Sequence, residues 1–315
     1  ADHAARFYHM EIDPSSGVII TSGATEGILA SVLGLVDPGD EVIVIEPSYD
    51  SYVPNIIMAN ATPRYVPLHP PDWSFDFAEL RAAFNKKTRA LLLNTPHNPT
   101  GRVFTREELT NIAELCIEHD VTVIADEVYE HLLFGSAQHI PIATLPGMFE
   151  RTVTVSSSGK LFSATGWKIG WVYGHPDLIE GVARAHQFIT FSVHYPSQEA
   201  IAYALHLPDT YYTEFQSLYE GKLQLMTNAL DAAGMHYFKP QGTYFILADF
   251  SPVFQGTSVE FSRYLVQDIG VAGIPPDTFY CQEHAHIGRN YIRFSYCKSD
   301  EMLQQAAERL ARLHR

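Results

Sequence analysis

Between residues 18 and 175, short apolar runs alternate with stretches whose apolar positions recur every three or four residues. VIIT (18–21), EVIVIE (41–46), ALLLNTP (90–96), VTVIADE (121–127) and TVTVSSS (152–158), all but the Leu-rich third rich in Val and Ile, read as strands. ATEGILASVLGLV (24–36) and TREELTNIAELCIEH (105–119) read as helices between them. Thr105 with Glu108 three residues later predicts a capping box at the start of the second helix. Strands alternating with helices predict an α/β fold, a mostly parallel sheet flanked by helices, with strand cores buried on both faces.

A longer helical region, 176–206, follows, and the polar stretch LPDTYYTEFQ (207–216) predicts a connector. Beyond about residue 235 the pattern changes. TYFILADF (243–250) and NYIRFSYC (290–297) alternate as antiparallel strands do, while SVEFSRYLVQDI (258–269) and SDEMLQQAAERLARL (299–313) read as helices. The division predicted is a large domain over 1–208 and a smaller C-terminal α/β domain over 209–315.

Composition narrows the function. The 315 residues carry a net charge of −15, which argues against nucleic acid or an anionic membrane as the main partner. No apolar run approaches the ~20 residues of a membrane span. Cys116, Cys281 and Cys297 are odd in number and widely spaced, so no disulfide framework is implied and a reducing, cytoplasmic setting fits. The opening ADHAARFYHM lacks the basic and apolar regions of a signal peptide. Cys281, His284 and His286 match no strong zinc spacing and read as a solvated loop, so no metal is expected.

Candidate chemistry gathers where strands end. SSSGKLFSATGWKIGW (156–171) sets Lys160 among glycine, small hydroxyls and aromatics. Partial loss of hydration favours a neutral lysine amine, which forms an imine with an aldehyde such as that of pyridoxal 5′-phosphate (PLP). Ser157 and Lys168 suit the phosphate of such a cofactor. NTPHNPTG (94–101) ends another apolar run with Asn98, and ADEVYEH (125–131) ends a third with Asp126 and Tyr129. A carboxylate keeps a pyridine nitrogen protonated, and Tyr129 and Asn98 can hydrogen-bond the ring's phenolic oxygen. SGATEG (22–27) follows a strand and opens a helix, so the amides of Ala24 and Thr25 can meet the phosphate. Tyr49, in EPSYDSY (46–52), can stack on a flat ring.

These residues together resemble the fold-type I, class I PLP-dependent aminotransferases, and within them the kynurenine, glutamine and methionine aminotransferases. The resemblance is carried by Gly23-Ala24-Thr25, Tyr49, the NPTG stretch with Asn98, Asp126 and Tyr129, Ser157 and Lys160, and G-W-K-x-G with Lys168. Most class I enzymes have arginine where Lys168 stands, and the named subgroup carries lysine. The resemblance implies that Arg293 in RFSYCK clamps the substrate's α-carboxylate, a task suited to a bidentate guanidinium. It implies His194 as a substrate contact reaching a neighbouring subunit, and a homodimer with shared sites. It also implies an N-terminal arm that helps close the site; this chain starts after that arm, so one side of the site is expected to be incomplete.

The implied reaction is ping-pong transfer of an amino group between an L-amino acid and a 2-oxo acid, with Lys160 forming the aldimine. Tyr49 and Phe191 point to an apolar or aromatic side-chain site, compatible with methionine, glutamine, phenylalanine, kynurenine or an N-succinylated diamino acid. Elimination from cysteine conjugates, a β-lyase reaction, uses the same carbanion and is an alternative. A non-catalytic PLP-binding module is another, with no basic DNA-binding segment to favour it.

Overall fold

The apolar runs at the centre of the sheet form strands whose side chains are buried on both faces, whereas Val18–Ile20 of the first run are half-buried. In a computed structural model that describes residues 1–313, every residue of 122–126 and 152–157 is buried. Eight strands make the larger sheet: β1 (Val18–Thr21), β2 (Glu41–Glu46), β3 (Thr62–His69), β4 (Ser74–Phe75), β5 (Thr88–Asn94), β6 (Thr122–Asp126), β7 (Thr152–Ser157) and β8 (Gly170–Gly174). Their order is β1-β8-β7-β6-β5-β2-β3-β4. The central strands β7, β6, β5, β2 and β3 are parallel, whereas β8 runs antiparallel to both β7 and β1, and β4 antiparallel to β3. The mostly parallel α/β sheet expected from the alternation is therefore present.

After β3 the chain returns to the other side of β2, so the direction in which the sheet grows reverses between β2 and β5. Open sheets of this kind leave a crevice at the carboxyl ends of the strands at such a reversal. Asn94, Asp126 and Ser157 are the last residues of β5, β6 and β7.

Two apolar layers cover the sheet. Ile43, Leu68, Leu91, Phe104, Leu109, Ile112 and Val123 pack on one face; Ile28, Val32, Val44, Ile56, Leu92, Ile124 and Val172 pack on the other. Burying such side chains contributes roughly 1.5–3 kcal/mol each. The expected helices run Gly23–Leu35 and Arg106–Glu118, and the second begins with the capping box of Thr105 and Glu108.

The helical region 176–206 is interrupted. It forms Pro176–Ile189 and Tyr195–Leu205, separated by a turn in which Phe191 has a φ of 64°. The stretch 207–216 is not a connector. A 25-residue helix, Asp209–Ala233, starts there directly after Pro208. Its buried positions Tyr212, Phe215, Tyr219, Leu223, Met226 and Leu230 recur every three or four residues. Three of the six are aromatic, two with polar tips, so the stretch reads as more hydrophilic than its packing.

The smaller sheet is antiparallel, in the order β11-β10-β9: β9 (His236–Tyr237), β10 (Phe245–Asp249) and β11 (Tyr291–Ser295). The helix Asp300–Leu310 packs on Asp209–Ala233. One apolar cluster joins the sheets, with Tyr129, Leu132 and Leu161 meeting Tyr219, Leu230, Phe245, Phe261, Ile292 and Phe294. That cluster holds β10 and β11 against the carboxyl ends of the larger sheet.

Candidate active site

A cavity of about 220 Å³ opens at those carboxyl ends. Its lining includes Gly23, Ala24, Thr25, Tyr49, Asn98, Asp126, Tyr129, Ser157, Lys160, Lys168 and Arg293. Residues from 23 to 293 in the chain thus meet in one place, as the strand-end reading anticipates.

The floor is built from β5 and β6. Asn94 Nδ2 donates to the backbone carbonyl of Asp126 at 2.8 Å, and Asn94 Oδ1 accepts from Asn98 N–H at 2.7 Å. One buried amide thus ties together two strand ends and the turn carrying Asn98. Asp126 Oδ2 accepts from Tyr52 Oη at 2.6 Å, and Oδ1 accepts from Val128 N–H at 3.3 Å. Burial pushes the Asp126 carboxyl up from its ordinary range; the Tyr52 and Val128 hydrogen bonds and the charge of Lys160 pull it back.

One wall comes from the turn after β7. Lys160 lies on the short helix Ser158–Leu161, half-buried, with Nζ 5.5 Å from the ring centre of Tyr244 and 5.7 Å from that of Tyr129. Ser158 N–H and Oγ both donate to the Ile169 carbonyl, at 3.0 and 2.9 Å, and Thr165 Oγ1 donates to the Gly159 carbonyl at 2.9 Å. These bonds fold residues 158–169 back on themselves and bring Lys168 to the same cavity as Lys160.

Opposite, the first turn of the helix Gly23–Leu35 lines the cavity with Gly23, Ala24 and Thr25, and Ser22 makes no side-chain cap there. The helix begins one residue earlier than expected, at Gly23, whose φ is 73°. A Cβ on Gly170 would stand 2.5 Å from the Gly23 carbonyl carbon and 2.7 Å from Ala24 N. Only glycine at 170 lets this turn lie against β8.

The roof comes from the smaller sheet. Arg293 of β11 lies with Cζ 4.2 Å from the ring centre of Phe245 and 4.8 Å from that of Phe279. Its Nη1 donates to Asn98 Oδ1 at 3.0 Å. That hydrogen-bond partner is neutral.

His194 is apart from this group. It is exposed before the helix Tyr195–Leu205, with Nδ1 2.8 Å from Ser197 Oγ, and does not line the cavity of its own chain. The solvated loop expected around Cys281 is also corrected: Cys281 and His284 are half-buried against Glu46, while His286 stays exposed. Tyr52, Asn94, Phe245 and Phe279 escaped the sequence reading. Strand-end logic applied to the last residue of ALLLN finds Asn94, and Tyr52 follows Tyr49 by three residues, nearly one helical turn.

The family described as aminotransferase class I and II matches residues 1–310. The chain belongs to this family. Class I aminotransferases use pyridoxal 5′-phosphate, and this chain is an enzyme of that transaminase type. The aminotransferase is 40% identical to a kynurenine–oxoglutarate transaminase of Dictyostelium discoideum, across 98% of this chain and 79% of that protein. It is 42% identical to a probable N-succinyldiaminopimelate aminotransferase of Mycobacterium tuberculosis, across 97% of this chain and 79% of the relative. The solved structure of N-succinyldiaminopimelate aminotransferase from Mycobacterium tuberculosis superposes with a TM-score of 0.96 at 42% identity, covering 99% of this chain and 82% of the other. YbdL from Escherichia coli, reported with a methionine aminotransferase function, superposes with a TM-score of 0.95 at 36% identity, covering 99% and 81%.

Proposed function

We propose that this aminotransferase moves the amino group of an L-amino acid with an apolar or aromatic side chain to a 2-oxo acid, and that Lys160 both attaches the cofactor and carries the proton. The observation behind this reading is that Lys160, Asp126 and Arg293 face one cavity from three different elements. The donor set suits PLP. Asp126 is a buried carboxylate whose pKa is raised by burial, and a protonated ring nitrogen would supply a cation to offset that push. The first amides of Gly23–Leu35, with Ser157 and Lys168, suit a phosphate. When bound, PLP supplies an electron-withdrawing ring that takes up the charge left at the substrate's Cα.

The chain's own residues do the rest. Asp126 holds the proton on the ring nitrogen, and Tyr52 keeps the Asp126 carboxylate oriented. Tyr129 and Asn98 would hydrogen-bond the cofactor's phenolic oxygen, and Tyr49 would pack on the flat ring. Arg293, aimed by Asn98, receives the substrate carboxylate. Lys160 Nζ would attach the cofactor's aldehyde and, once free, would be the base placed to move the proton at the substrate's Cα. Phe245 and Tyr49 form an apolar boundary that favours apolar or aromatic side chains.

The same proposal includes a homodimer. Phe188, Phe191 and Tyr203 are 85%, 74% and 77% exposed, and His194 lies among them in sequence. Seating that surface on a second copy would remove the apolar area from water and carry His194 towards the second site. We also place the division between domains at 208 and 209, where Asp209–Ala233 begins, and the protein in the cytoplasm, in keeping with three free cysteines. No described helix is long and apolar enough to cross a membrane.

Lys160→Ala tests the central assignment. Turnover and the visible absorbance of lysine-bound cofactor are expected to disappear together; retention of both would refute it. Single-turnover reactions with methionine, phenylalanine, kynurenine, glutamine and aspartate test the substrate class, with aspartate expected to react worst.

A further inference from the structure

Glu46 ends β2 and is 1% exposed. A distant loop closes over it. Cys281 N–H donates to Glu46 Oε1, and His284 Nδ1 lies 2.7 Å from Glu46 Oε2. Two residues further along the chain, Ser48 N–H donates to the Phe279 carbonyl at 2.8 Å. Burial pushes the Glu46 carboxyl up, and the bonds from His284 and Cys281 act against that push. The Cys281-x2-His284 spacing therefore has a use without a metal: it brings a main-chain N–H and an imidazole onto one buried carboxylate.

The loop so anchored carries Phe279, itself buried, with its ring centre 4.8 Å from the Arg293 guanidinium carbon. Phe245 contributes the second ring, at 4.2 Å. Phe245 is fixed within β10, paired with Ser295 of β11. Phe279 has no strand to hold it, and its backbone is tied to the larger sheet at Ser48, beside Glu46. An arginine flanked by rings keeps its planar fork in one orientation, and two-point recognition of a carboxylate depends on that orientation.

We propose that Glu46 is a positioning residue for substrate binding. It fixes the 279–284 loop and, through Phe279, sets the direction in which Arg293 presents its guanidinium. This rests on Arg293 being the receptor for the substrate carboxylate.

The test uses the holoenzyme and single-turnover reactions with an L-amino acid, alongside spectral titration with the matching amine that lacks the carboxylate. Glu46→Ala and Phe279→Leu are each expected to raise the amino-acid half-saturation concentration about tenfold, leaving the maximal rate within about threefold. Half-saturation by the amine is expected to stay unchanged. Glu46→Gln is expected to restore binding, because its amide oxygen still accepts from Cys281 N–H and its NH₂ donates to His284. Amino-acid half-saturation within about twofold of the parent in either disruptive variant overturns the proposal, as does an equal shift for amino acid and amine. If Glu46→Ala does not fold, Phe279→Leu decides the matter by the same criteria. Arg293→Lys separates the two readings. If it leaves amino-acid binding unchanged, the assignment of Arg293 fails. If it weakens binding while either Phe279→Leu or Glu46→Ala does not, the role of Glu46 alone fails.

Discussion

Tyr52 donates its phenolic hydrogen to Asp126 Oδ2 at 2.6 Å, across 74 positions of sequence. The bond opposes the upward push that burial exerts on the Asp126 carboxyl. Tyr52→Phe removes it without changing the ring's volume. Hydrogen bonds to charged groups contribute about 1.5–3 kcal/mol, so affinity for PLP is expected to fall about ten- to hundredfold. Equilibrium dialysis of the cofactor measures this, and unchanged affinity would contradict the assigned role of Tyr52.

Gly170 permits the phosphate turn. Alanine there would place its Cβ against backbone atoms of Gly23 and Ala24, neither of which can rotate away. The turn must shift, at a cost of roughly 1–3 kcal/mol. Gly170→Ala is expected to weaken PLP binding about tenfold or more, and binding of pyridoxal, which has no phosphate, by much less. Titration with both aldehydes checks it: equal losses would place the damage elsewhere than at the phosphate turn.

The acid limb of stability should depend on His97. This buried imidazole has Nδ1 2.8 Å from Thr100 Oγ1, and burial, followed by the charge of Arg102, pushes its pKa down from 6.5 to about 3. Below 6.5 the unfolded chain gains a proton that the folded chain refuses, so stability present above 6.5 is lost as pH falls towards 3. The slope from this one group reaches about 1.4 kcal/mol per pH unit. His131, pushed to about 4 chiefly by burial, acts in the same direction. Urea unfolding at about pH 7 and about pH 5 should show a smaller loss in His97→Gln than in the parent. Equal losses would show that His97 is protonated in the folded state.

Phe191 tests the proposed seam between subunits. Its exposed ring follows the helix Pro176–Ile189. A carboxylate at this position is tolerated in water and unfavourable in an apolar interface. Phe191→Asp is expected to shift the light-scattering mass from dimer towards monomer and to lower turnover with it. A dimer of undiminished stability would place the seam on another surface.

The sequence made the strand ends legible for a physical reason: an apolar run buried on both faces stops where its first polar residues meet the crevice. Asn98, Asp126, Ser157 and Lys160 all follow such runs. Tyr52 was not legible because its importance depends on the distance to Asp126, which is set by the sheet order. Glu46 was hidden for the same reason, as its partners lie on a loop more than two hundred positions away. The helix Asp209–Ala233 was missed because Tyr212 and Tyr219 combine a polar tip with a buried ring, and hydropathy weighs the tip. Strand β3 contains Pro63 and Pro67, and β8 is bounded by Gly170 and Gly174, residues that usually signal a break.

The contact between Arg293 and Asn98 spans 195 positions, and no segment of the chain contains more than a fraction of the groups that line the cavity. A partly folded chain, with the larger sheet formed and the smaller one undocked, would have the lysine and the carboxylate without their roof. Binding of the substrate carboxylate therefore requires the smaller sheet to be docked, whereas the residues assigned to the cofactor all lie between Gly23 and Lys168. Because the unfolded chain has no comparable site, each tenfold rise of free cofactor above its dissociation constant adds about 1.4 kcal/mol to the stability of the whole molecule. The supply of the vitamin-derived cofactor then influences how much of the chain survives as folded protein, in addition to how much of it is active.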